Sequence, residues 1–313
     1  MLSRTADSLY WLGRYVERAE NLARILEVAD RMALTPHSGG GHQDEWHSAV
    51  VISGCEEGFY KKHEEATAAT VVDYIALDQD NGSSIRSCLQ RARTNGRAVR
   101  AALTRPMWET LNATWLELEG GKDALIRDGD LRGFLEWIKE RAIMFQGAVV
   151  TTMIRDDAHI FLQLGVFLER ADSTARLLDV KYHVLLPAYE EVGGGLDFYQ
   201  WAAILRGASA LGSYAYLYRD GIKPWQVAEL LVLRPEMPRS LAGCFHEMVD
   251  LLGQLADLYG GKHECERLAG EIHSRLRYGR IDAILRTGLH EYLTDFIQQN
   301  NILGLEVSKA YLL

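Results

Sequence analysis

The sequence predicts an all-α protein, a duplicated helical bundle whose two pseudo-twofold-related halves pack into one body. Three observations lead there. Only six prolines occur in 313 residues, long segments follow helical periodicity, and no stretch alternates strictly enough to demand a strand. LGRYVERAENLARILEV (12–28) aligns without a gap with LGVFLERADSTARLLDV (164–180), matching Gly13 with Gly165 and Glu17-Arg18-Ala19 with Glu169-Arg170-Ala171. TVVDYIALDQDNGSSIRSC (70–88) aligns with QVAELLVLRPEMPRSLAGC (226–244), pairing Ser84 with Ser240 and Cys88 with Cys244. Between these blocks each half carries GGG, at 39–41 and 193–195, and then a tryptophan, Trp46 or Trp201. Recurrence in one order divides the chain into halves of 1–155 and 156–313. No Pro/Ser-rich linker separates them, so one compact domain is expected.

Periodicity predicts helices over 5–32, 44–54, 66–77, 83–104, 107–126 and 130–153 in the first half. In the second it predicts 157–185, 197–217, 224–233, 238–259, 263–277 and 281–299. Pro238 and the Ser83-Ser84 pair read as starts of the helices that follow them. The triple glycines lack GxxxxGK[ST] and follow no strand, so they read as turns rather than phosphate loops.

Composition bounds the function. Apolar residues make up 48% of the chain and charged residues 25%, the profile of a soluble globular protein. A formal net charge of −9 argues against non-specific binding to nucleic acid or an anionic membrane. Cys55, Cys88, Cys244 and Cys265 show no CxxC spacing and read as small buried residues in a reducing compartment. The N-terminus meets charge too early for a signal peptide, and no apolar run reaches the length of a membrane span. A cytoplasmic protein is expected.

The repeated helix is apolar nearly all round, so Glu17, Arg18, Glu169 and Arg170 lie mid-helix in surroundings that disfavour charge. An unpaired buried charge costs several kcal/mol, so each needs a partner. Arg14 can serve Glu17 locally, but its counterpart is Val166, so Glu169 lacks that option. If the two helices pack antiparallel about a pseudo-twofold axis, Glu17 meets Arg170 while Glu169 meets Arg18. This crossed quartet is the reading favoured. A pocket for an anion or substrate built on the same arginines is an alternative. A carboxylate metal site would also need Glu-x-x-His pairs on facing helices, and no metal or cofactor is expected. Asp7 and His159 open the two repeat helices and are candidate neighbours of the quartet, with Arg14.

LYWLGRYVERAENLAR near the N-terminus, with GVFLERADSTARLL in mid-chain, closely resembles the bacterial alpha-E family, and the resemblance spans essentially the whole chain. The resemblance implies a helical domain encoded beside, or fused to, a circularly permuted ATP-grasp protein, often with a transglutaminase-like cysteine peptidase. It therefore implies a role in making or modifying an amide-linked peptide or small molecule. This chain carries no ATP-grasp or peptidase segment of its own. An auxiliary, binding or scaffolding subunit is expected. The alternatives are a stand-alone enzyme on the amide product with Glu17 or Glu169 as general acid or base, and a purely structural dimer.

Three further features bear on function. Between Ser83 and Trp108 no acid occurs, and Arg86, Arg93, Arg97 and Arg100 share one helical face. That face reads as a solvated surface paired to acids elsewhere, or as a dock for an acidic partner or anionic ligand. His246-Glu247 and His290-Glu291 lack the second histidine of HExxH, so zinc hydrolysis is not expected. The C-terminal GLEVSKAYLL ends apolar and is suited to docking, on the body or on a partner.

Overall fold

The structure, a computed structural model, describes residues 1–34, 43–183 and 194–312. The first glycine triplet and Gly193 lie outside these residues. Every regular element among the described residues is helical. In chain order the helices are α1 (Ser3–Ala33), α2 (Gln43–Ile52), α3 (Glu56–Tyr60), α4 (Ala68–Val72), α5 (Ile85–Ala98), α6 (Arg105–Glu117), α7 (Ala124–Arg127) and α8 (Leu131–Thr152). They continue with α9 (Asp157–His183), α10 (Gly195–Gly207), α11 (Leu211–Tyr218), α12 (Pro224–Leu233), α13 (Leu241–Tyr259), α14 (Glu264–Arg277), α15 (Ile281–Thr287) and α16 (Leu289–Val307). Segments Asp73–Leu77, Leu118–Lys122 and Ser308–Leu312 close as π-helical turns.

Several boundaries differ from expectation, each for a local reason. The segment 281–299 breaks into α15 and α16 at Gly288, whose φ of 105° is open to glycine but not to a helix interior. The segment 197–217 breaks at Ser209, held left-handed at φ 53°. The segment 83–104 stops at Ala98 and leaves Arg100 in a 3₁₀ turn. Ser84 and Ser240 cap α5 and α13, accepting from the Ser87 and Gly243 amides, so Pro238 lies in the turn before α13 rather than at its first position.

Helices α1 and α9 make the most extensive contact in the molecule. Helices α5 and α8 flank α1, α13 and α16 flank α9, and α2 and α10 each touch both central helices. The closest approach depends on two glycines. A Cβ on Gly13 would strike the Leu162 carbonyl oxygen, and one on Gly165 would strike the Tyr10 carbonyl oxygen. Further along, Glu17 and Arg18 meet Arg170 and Glu169. Residue numbers climb together on the two helices, so they run parallel. This corrects the antiparallel expectation. An antiparallel pair seated on the same glycines would set Glu17 opposite Ala158, about 18 Å of helix from Arg170. The C-terminal segment 308–312 packs on α1, with Leu312 buried.

Candidate functional site

Each carboxylate of the two Glu-Arg pairs is held by the other helix. Arg170 donates to both Glu17 oxygens at 3.1 and 2.8 Å, and Arg18 donates to both Glu169 oxygens at 2.6 and 3.0 Å. Glu17 and Glu169 are 0% and 4% exposed. Bidentate, charge-assisted bonds of this kind offset the cost of burial, which neither carboxylate could bear alone.

A third arginine completes each cluster, and the two come from unrelated positions. On the Glu169 side it is Arg14, which donates at 2.8 Å and packs its guanidinium 4.8 Å from the Trp11 ring. On the Glu17 side it is Arg239, which donates to Glu17 at 2.9 Å, to Asn21 at 3.2 Å and to Glu20 at 2.5 Å. Sequence reading missed Arg239. It lies directly before the Ser240 cap, and the residue aligned with it in the segment 70–88 is Ser83, so no shared motif marks it. Arg24 and Arg176 were also missed as cross-links. Arg24 bonds Glu20 and donates to the Gly207 carbonyl at the end of α10, while Arg176 bonds Asp172 and donates to the Ile52 carbonyl at the end of α2. Each satisfies a carbonyl that the helix end leaves without an internal donor.

The electrostatics follow from this packing. Burial raises the Glu17 carboxyl, but Arg170 and Arg239 outweigh it and bring the group down to about 2. Burial likewise raises Glu169, and Arg18 and Arg14 bring it down to about 2. Both are ionised with their lone pairs engaged, poor material for a general acid or base near neutrality. Burial pushes the Cys88 and Cys244 thiols up to about 12, so neither is an activated nucleophile.

Where Arg239 fills the Glu17 side, the Glu169 side retains a cavity of about 180 Å³, lined by Arg14, Arg18, Ser83, Glu169, Asp172 and Arg176. One Asp172 oxygen beside it is buried and has no hydrogen-bond partner among the described residues. Asp7 and His159 are not part of either cluster. Each lies ten residues before its glutamate, about 15 Å along the helix. Burial raises the Asp7 carboxyl and lowers the half-buried His159 imidazole.

The arginines of the basic stretch do not form one free face. Arg86 pairs with Glu119, Arg93 donates to Asn112, and Arg100 bonds the Leu103 carbonyl beside Trp108. Arg97 and Arg100 are exposed. On α8, Ile143, Met144 and Val150 are solvent-exposed, as is Ile154 just beyond it. The Thr104–Thr152 hydroxyl contact at 2.7 Å ties the start of α6 to the end of α8.

A group able to hold a metal lies elsewhere. Asp179 and His183 at the end of α9 meet His290 at the start of α16, with donor atoms within 4.8 Å of one another.

The geometry gives the paired Glu-Arg motif a defined place, and a family model for "a predicted alpha-helical domain with a conserved ER motif" matches residues 1–312. The chain belongs to the Alpha-E family. Uncharacterised proteins of Mycobacterium bovis and of two Mycobacterium tuberculosis strains are 22% identical to it over 320 aligned positions. These alignments cover 94% of this chain and 35% of each relative, so this Alpha-E chain spans about a third of the length of the curated relatives it matches. No solved structure matches it. Among the described residues no helix is long and apolar enough to cross a membrane.

Proposed function

We propose that this Alpha-E protein is an auxiliary, binding or scaffolding subunit of a cytoplasmic system that forms amide bonds with a circularly permuted ATP-grasp protein, in some settings beside a transglutaminase-like peptidase. The observation that carries the reading over a stand-alone enzyme is the state of the two glutamates. Glu17 and Glu169 are buried, ionised and saturated with arginine donors, so they serve the packing of α1 on α9 rather than proton transfer. The surface supports the same reading. Exposed Ile143, Met144, Val150 and Ile154 suit an apolar partner patch, and exposed Arg97 and Arg100 suit acidic partner groups.

The same reading takes 1–155 and 156–313 as two copies of one helical unit. Its support is reciprocal contact: Gly13 on Leu162 and Gly165 on Tyr10, Arg24 on the end of α10 and Arg176 on the end of α2.

Co-expression with the circularly permuted ATP-grasp protein tests the role. ATP turnover is measured against a panel of amino acids, with and without this chain. The expected result is co-purification, turnover that depends on this chain, and loss of both when Arg97→Glu is combined with Val150→Glu. Conversion of an amide by this chain alone, abolished by Glu17→Gln in protein that still folds, would favour the enzyme instead.

A further inference from the structure

Asp179, His183 and His290 share a neighbourhood that neither the Glu-Arg motif nor the amide reading uses. His290 Nδ1 lies 2.7 Å from one Asp179 oxygen, and His183 Nε2 lies 3.4 Å from the other. Asp179 and His183 are one turn apart on α9 and so face the same way. His290 comes from the first turn of α16 and is held in place by Tyr182, whose ring stacks on the imidazole at 3.7 Å with the planes 7° apart. Asp179 is 9% exposed, while the two imidazoles are partly open. A cavity of about 260 Å³ adjoins the group, bordered by Asp179, Lys181, Tyr182, Trp201, His290 and Glu291.

The first half offers a revealing contrast. At the aligned positions Glu27 pairs with Arg31 at 2.8 Å, and Lys139 reaches the same carboxylate at 2.7 Å. Guanidinium and ammonium groups have no lone pair, so that cluster can only be an ion pair. The second half places imidazoles, which have ring nitrogens able to ligate, around a carboxylate at the corresponding turn. Two nitrogens and a carboxylate oxygen form the donor set that zinc and related divalent transition metals accept, leaving a coordination position free. The site also closes α9 at its C-terminus, where the helix dipole favours a cation. The three donor atoms already lie within 4.8 Å of one another, so moderate adjustment would set each about 2 Å from one ion.

We propose that Asp179, His183 and His290 form a divalent transition-metal site of the zinc class, with its open position facing the adjoining cavity. The HExxH test misses it because the donors come from a D-x-x-x-H turn on α9 and a histidine 107 residues later.

Calorimetric titration of the full chain, stripped of metal with a chelator, tests the site with Zn²⁺, and visible absorption tests it with Co²⁺. Expected are one equivalent bound with a Kd below about 10 µM and Co²⁺ ligand-field bands of a low-coordinate nitrogen and oxygen site. His183→Ala and His290→Ala should each weaken binding by about tenfold or more. His246→Ala, near the separate His273, should leave it unchanged. If His290→Ala perturbs folding by melting temperature, His183→Gln, at the last residue of α9, carries the same expectation. Binding weaker than about 0.1 mM, or binding of normal strength in both the His183 and His290 variants, would overturn the proposal.

Discussion

At the scale of single residues, Gly13 and Gly165 decide how near the two central helices come. Their missing side chains let each backbone rest on a carbonyl of the other helix, at Leu162 and Tyr10. Backbone cannot retreat as the tip of a flexible side chain can, so Gly165→Ala must push α9 away from α1. A loss of about 1–3 kcal/mol is expected, the usual range for overpacking, read as a lower urea midpoint. An unchanged midpoint would mean that the helices tolerate a wider spacing. Arg239 is the second decisive residue, because it reaches two buried carboxylates at once. Arg239→Met should cost about 3–5 kcal/mol, as breaking a buried pair commonly does. The exposed Arg97→Met should shift the same unfolding curve by less than about 0.5 kcal/mol.

At the scale of elements, the two matching Glu-Arg segments made the central helices legible: an apolar stripe interrupted by Glu-Arg leaves few ways to satisfy the charge. The orientation of the pair was not legible, since crossed pairing between two copies of a motif can be drawn with either polarity. The glycines that discriminate are visible only when their partner carbonyls are known. Breaks at Ser209 and Gly288 were missed for another reason, because apolar periodicity continues across them while the backbone does not. Arg14 was legible as a neighbour of the quartet but as a local partner of Glu17, whereas it serves Glu169, and Arg239 was missed because the residue aligned with it is Ser83. The Asp179–His183–His290 group was hidden by separation along the chain. The arginines of α5 were legible as a charged surface, but their partial pairing to Glu119 and Asn112 depends on how α6 and the turn after it pack.

At the scale of the whole molecule, the central pair ties stability to pH. In the folded chain Glu17 and Glu169 sit near 2 instead of an ordinary 4.5, so the folded state binds these protons less readily than the unfolded one. The stability they contribute is complete above the ordinary value and is lost as pH falls from about 4.5 toward about 2. Urea midpoints across that window should fall steeply in the parent chain and less steeply in Glu17→Gln. Equal slopes would mean that protonation elsewhere governs acid unfolding.

The central claim is that the Glu-Arg motif joins α1 to α9 across the molecule. A double-mutant cycle on Glu17→Gln and Arg170→Met measures it most directly, with unfolding followed by helical signal in urea. Each single change should destabilise by about 3–5 kcal/mol. The double change should cost less than their sum by about 2 kcal/mol, a coupling within the range for contacting residues. Additive losses, or single variants as stable as the parent, would contradict the claim and return the motif to the list of candidate catalytic groups.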